Sequence, residues 1–187
     1  MEKELNSFSR GLRDGIPICL GYLSVAFAFG IFTVGHGLTI WEAVMISMTN
    51  VTSAGQLAAV PIIAGGGSLF ELALTQCVIN MRYSLMSVSL SQRLSKSVRL
   101  LDRFLISFVN TDEVFAVAIS KNAPLGRKYL YGLTLTPYLG WSAGTLLGSA
   151  AGNILPATVV SALGIAIYGM FIAIIVPPAK KSLPTLL

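Results

Sequence analysis

Apolar residues gather along this chain into six long runs separated by short polar breaks: Ile16 to Gly35, Trp41 to Ala64, Ser68 to Leu90, Phe104 to Ser120, Tyr129 to Ala151 and Ala157 to Val176. One helix needs roughly 20 apolar residues to cross a hydrocarbon core of about 30 Å, and these runs are of that order. They lack the strict alternation of barrel strands, and a helix satisfies its own backbone in lipid. The predicted fold class is therefore all-α, a polytopic helical membrane protein with about six hydrophobic segments. Residues 1–15, MEKELNSFSRGLRDG, read as a polar head expected in the cytoplasm, and 16–187 as a single transmembrane domain. The head does not read as a cleaved signal, because the apolar run behind it is span-length and has no small-residue cleavage site.

Composition agrees: 54% hydrophobic and 11% charged residues, with a mean hydropathy of +0.75, lie outside the range of soluble globular domains. The net charge of +5 does not point to nucleic acid, since the basic residues flank apolar runs instead of lining one face with interleaved aromatics. They set topology. The clusters are Lys3, Arg10 and Arg13; Arg93, Lys96, Arg99 and Arg103; Lys121, Arg127 and Lys128; and Lys180 and Lys181. Positive loops prefer the cytoplasm, yet six full crossings would put the loop around Arg99 outside. The conflict disappears if the second and fourth segments are broken or re-entrant, each entering and leaving by one face. The fourth, Phe104 to Ser120, would reach only about 25 Å as a straight helix. A thinned bilayer, or a helix that takes in Leu100 to Arg103, is the alternative.

Polar groups inside these runs mark the candidate site. The second segment carries TNVTSAGQ, with Thr49, Asn50, Thr52, Ser53, Gly55 and Gln56 close together. Small and hydroxyl residues suit helix packing. The amides of Asn50 and Gln56 need several partners each, which favours an interrupted helix lining a polar cavity. The expected substrate path is Asn50, Thr52, Ser53, Gly55 and Gln56, with Asn80 from the third segment. Arg82 in VINMRYSLMS stays protonated, so it must snorkel, pair or face water. In the fourth segment Asp112 and Glu113 stand side by side; Asp112 is the expected partner of a buried Arg82, and Glu113 the expected proton carrier.

Other candidates carry less. His36 falls in a short turn, Glu42 and Glu71 complement helix N-termini, and Cys19 and Cys77 read as packing residues. Gly65-Gly66-Gly67 lacks the Lys-Ser/Thr of a phosphate-binding loop, and no HExxH pattern occurs, so no enzyme activity, cofactor or metal is expected. PICLGYLSVAFAFG from Pro17 and PYLGWSAGTLLG from Pro137 hint at an internal repeat, common in transporters.

Taken together, PICLGYLSVAFAFG, SAGQ (Ser53 to Gln56), NMR (Asn80 to Arg82), TDE (Thr111 to Glu113) and LGW (Leu139 to Trp141) resemble, in order and spacing, the AzlC or BrnF family, the large subunit of two-component branched-chain amino acid exporters. The resemblance implies export of leucine, isoleucine and valine driven by the proton-motive force. It also implies a small hydrophobic AzlD- or BrnE-type partner subunit and residence in a bacterial inner membrane. Members of the family continue past the point where this chain reads KKSLPTLL, with at least one more apolar span. Two rival readings remain: a permease subunit of an ATP-driven system, for which no EAA-type coupling loop is present, and a membrane scaffold in which the polar groups are structural.

Overall fold

The computed structural model describes residues 4–152, 154 and 158, so the sixth apolar run, Thr158 apart, and Lys3, Lys180 and Lys181 lie outside the described residues. Its regular elements are seven helices: α1 Phe8–Gly35, α2 Ile40–Thr49, α3 Ser53–Ala64, α4 Leu69–Ser91, α5 Leu100–Phe108, α6 Asp112–Ile119 and α7 Arg127–Gly152. The all-α expectation holds. α1 is long and apolar enough to cross a membrane. It begins inside the polar head, where Ser7 accepts the Arg10 N–H as its N-cap.

The frame is the pair α1 and α7, which run parallel in close contact. Gly11 meets Gly132, Cys19 meets Gly140, Leu23 meets Gly144 and Phe27 meets Gly148, a constant register repeated every helical turn or so. A Cβ on Gly144 would stand 2.5 Å from the Leu23 carbonyl oxygen, and one on Gly140 would stand 2.7 Å from that of Cys19. Only glycine lets the backbones approach this far, the small-residue packing that holds helices together in lipid. The two segments that hinted at a repeat are these neighbours.

Both segments expected to break do so. The second divides into α2 and α3 at Asn50 to Thr52, where the backbone turns extended. The fourth, which starts earlier than the apolar pattern suggests, divides into α5 and α6 at Val109 to Thr111. At 1.5 Å per residue the four pieces are roughly 12 to 18 Å long, about half a hydrocarbon core.

Contacts fix where each hairpin enters. At one end of the molecule, Leu5, Arg93 to Ser95 and Pro124 to Gly126 exchange backbone hydrogen bonds of 2.8–3.0 Å. Here Ser95 and Ser97 donate to Glu4, holding its carboxyl below the usual carboxylate range. Lys121 bridges Asp14 at 2.6 Å, and Tyr131 donates to Asp102 at 2.8 Å. This end gathers the basic clusters of the described residues, and α5 and α6 start and finish at it. At the other end lie the turns at Gly37 (φ 85°) and Gly66 (φ 69°), conformations that favour glycine. There Thr39 and Glu42 form a capping box on α2, and Val60 of α3 packs with Phe29 and Leu38. α2 and α3 therefore dip from this far end and return to it, and α4 carries the chain back to the basic end.

α4 is the least covered long helix. Leu74, Val78, Met81, Leu85 and Val88 are exposed along one side, and Cys77 is exposed with them. The packing role read for Cys77 is thus corrected, since no described element covers that side. Cys19 does pack, against Gly140.

Candidate functional site

The two hairpin tips flank a cavity of ≈580 Å³ between α1, α4 and α7. α1 contributes Ile18, Gly21, Tyr22 and Val25; the first tip Val51, Ser53 and Ala54; α4 Ile79, Arg82 and Tyr83; the second tip Thr111, Asp112 and Glu113; and α7 Trp141. Aliphatic side chains therefore share one space with one cationic and two acidic groups. A larger groove of ≈850 Å³ between α5 and α7 has basic but no acidic lining, and lies away from these charges.

Arg82 Nη2 lies 2.8 Å from Asp112 Oδ2, with the side chains 48% and 46% exposed. The expected partners meet, but the pair is half-open to the cavity and the flank of α4; the expectation of a buried arginine is corrected. Its guanidinium also donates to the Tyr83 hydroxyl at 3.1 Å and lies 4.9 Å from that ring's centre. Glu113 faces a different neighbour, because adjacent residues on a helix point about 100° apart. Its carboxylate is hydrogen-bonded by the Tyr22 hydroxyl, which is also 2.5 Å from Thr111 Oγ1. Tyr22 meets Trp141 edge to face, with centroids 4.9 Å apart and planes at 77°.

The substrate-path expectation needs revision residue by residue. Ser53 lines the cavity. Gln56 is wholly buried behind the first hairpin, where its Nε2 donates to Ser47 at 3.0 Å and Ser47 meets Thr145 of α7 at 2.6 Å. Asn50 donates to Gln76 at 3.0 Å, Asn80 donates to the same Gln76 oxygen at 3.1 Å, and Gln76 donates to the Gly55 carbonyl at 2.8 Å. Thr52 donates to Asn50 Oδ1 at 2.9 Å. The amide nitrogens of Asn50, Gln56 and Asn80 thus donate within the scaffold and hold the tip, and none of Asn50, Thr52, Gly55, Gln56 and Asn80 lines the cavity. Gly55 has its own reason: a Cβ there would stand 2.6 Å from Gln76 Oε1.

The sequence reading overlooked Tyr22, Gln76, Tyr83, Ser87 and Trp141. Ser87 accepts from Asn110 of the second tip at 3.4 Å, so α4 holds one tip through Gln76 and the other through Ser87. Gln76, Asn80, Tyr83 and Ser87 recur at helical spacing, a polar stripe that periodicity alone could have shown.

The AzlC protein family model matches residues 17–155, which contain all five motifs and the whole cavity. The chain belongs to the AzlC family. Among curated relatives, this AzlC-family chain is 31% identical over 183 residues to "Inner membrane protein YgaZ" of Escherichia coli, covering 94% of the chain and 74% of that protein. It is 33% identical over 175 residues to an uncharacterized membrane protein of Archaeoglobus fulgidus, covering 92% and 76%. A Helicobacter pylori membrane protein is 24% identical over 156 residues, covering 82% and 68%. No solved structure matches the chain. Family and relatives together make this a membrane protein, and the resemblance read from its motifs is confirmed.

Proposed function

We propose that this AzlC-family chain exports branched-chain amino acids in exchange for protons, together with a small hydrophobic subunit of the AzlD or BrnE type. One observation carries the reading: two half-depth hairpins from opposite ends meet at a single cavity that combines aliphatic walls, an Arg82–Asp112 pair and a further carboxylate, Glu113. Broken helices that meet at mid-depth are how transporters build binding sites in a bilayer. Ile18, Val25, Val51 and Ile79 offer aliphatic surface to a leucine-like side chain. Burial favours such a side chain by about 25 cal/mol per Å² removed from water.

In this mechanism Arg82 fixes Asp112, and Glu113 takes and releases the coupled proton. When ionised, Glu113 accepts a hydrogen bond from the Tyr22 hydroxyl. When protonated it no longer needs that donor, and Tyr22 turns to Thr111, so protonation alters the hold of α1 on the second hairpin. Efflux of a panel of labelled amino acids from cells making the chain, with and without the small subunit, tests the reading; loss of efflux for the branched-chain members alone, when the chain is deleted, is expected.

The basic end lies in the cytoplasm under this proposal, in a bacterial inner membrane crossed several times by the chain. With Cys19 and Cys77 replaced by serine, Arg99→Cys should resist a membrane-impermeant maleimide in intact cells while Gly66→Cys reacts. Reaction at Arg99 with protection at Gly66 would invert the orientation.

A further inference from the structure

Gly21 is a helix glycine that packing does not explain. Elsewhere in α1, Gly11 and Gly15 meet α7 around Tyr129 to Pro137, and Gly30 meets it around Thr145 to Ser149, so a Cβ at any of these three collides with that helix. At Gly21 a Cβ has nothing within 4 Å among the described residues. The backbone does not ask for glycine either. Positive φ occurs at Gly37 and Gly66 and not at Gly21, which lies inside regular helix and accepts the Ser24 hydroxyl on its carbonyl at 2.8 Å. Glycine is the least favourable residue after proline in a helix interior, because it loses the most conformational freedom on folding. The fold bears that cost at Gly21 without a contact in return.

The cavity between the hairpin tips supplies a reason. Ile18, Gly21 and Val25 all line it, and their spacing of three and four residues puts them on one face of α1. Ile18 and Val25 stand about 10 Å apart along the helix axis, and between them Gly21 leaves a gap with no side chain. Tyr22, the next residue, lines the same cavity and donates to Glu113, so the gap lies close to the charged groups. We infer that Gly21 sets the size of the side chain the site accepts: the missing Cβ leaves a notch between Ile18 and Val25 for the branched aliphatic side chain of an amino acid, whose charged ends lie toward Arg82, Asp112 and Glu113. This rests on the exporter reading and adds to it a specificity-determining residue.

The test uses inverted membrane vesicles from cells making the full chain with the small hydrophobic subunit. Wild-type vesicles should accumulate labelled leucine and valine when respiration acidifies their interior. Gly21→Val fills the notch. A methylene gained or lost in a hydrophobic pocket is worth about 10- to 200-fold, so the KM for leucine should rise about tenfold or more and that for the shorter valine about threefold or less. Gly21→Ala meets no described residue and improves helix propensity, so it should fold. It should shift the preference from leucine toward valine by about threefold or more, and it decides the matter if Gly21→Val gives no folded protein. Equal rises in KM for the two amino acids, or a fall in Vmax for both at unchanged KM, would mean that Gly21 serves movement of α1; either overturns the inference and leaves export intact. So do unaltered KM values. Wild-type vesicles that accumulate neither amino acid overturn the exporter reading and this inference with it.

Discussion

Gly148→Val should leave little folded protein, measured as monodisperse material after detergent extraction. A Cβ at Gly148 falls on the backbone of Phe27, on its carbonyl oxygen, carbonyl carbon and Cα, so no rotamer change relieves the clash. α1 and α7 would have to separate along their length. Overpacking costs about 1–3 kcal/mol where side chains can adjust, and more where backbone must move. That is a large part of a total of about 5–15 kcal/mol. Gly21→Ala is the control for stability: a Cβ there has nothing within 4 Å. Alanine should gain up to about 1 kcal/mol of helix propensity. A normal yield of Gly148→Val would mean that the parallel α1–α7 contact does not hold the fold together.

The second large effect is expected at the charge pair. Asp112→Asn leaves Arg82 without its counter-ion, at a cost of about 1–3 kcal/mol, between the values for exposed and fully buried pairs, because both side chains are half-exposed. The amount of extractable protein should fall several-fold. Arg82→Met combined with Asp112→Leu removes both charges and should restore much of it while transport stays lost. Glu113→Gln should behave differently, since its amide oxygen still accepts from Tyr22. Yield should stay near wild type, and the dependence of export on the pH gradient should flatten. If Glu113→Gln keeps its pH response while Asp112→Asn is stable and inactive, the two acids have exchanged roles.

What the sequence made legible, and what it did not, follows from the kind of constraint each residue carries. The breaks at Asn50 to Thr52 and Val109 to Thr111 were readable because polar clusters inside apolar runs and a basic loop between them leave few arrangements. The Arg82–Asp112 contact was readable because a guanidinium at that depth needs a partner. Which amide faces the cavity was not. Gln56 sits in the polar cluster and points behind the hairpin, whereas Gln76, in a run that reads as apolar, carries three of the hydrogen bonds that shape the tip. Composition reports the depth of such a group, but its direction depends on neighbours far away in sequence. Trp141 was likewise visible as part of LGW, but its unpartnered N–H appears only when α1 and α7 are side by side. The parallel pairing had its signal in the glycines at 140, 144, 148 and 152, a spacing that marks one helix face.

The central claim is that this chain moves branched-chain amino acids at the expense of a proton gradient. Its most direct test is leucine efflux from cells loaded with a leucine-containing dipeptide and making the chain with the small hydrophobic subunit, measured with the gradient intact, with a protonophore, and with vanadate. The account predicts rapid efflux that the protonophore abolishes and vanadate leaves unchanged. Efflux that survives the protonophore and stops with vanadate, or efflux no faster than from cells lacking the chain, would contradict it.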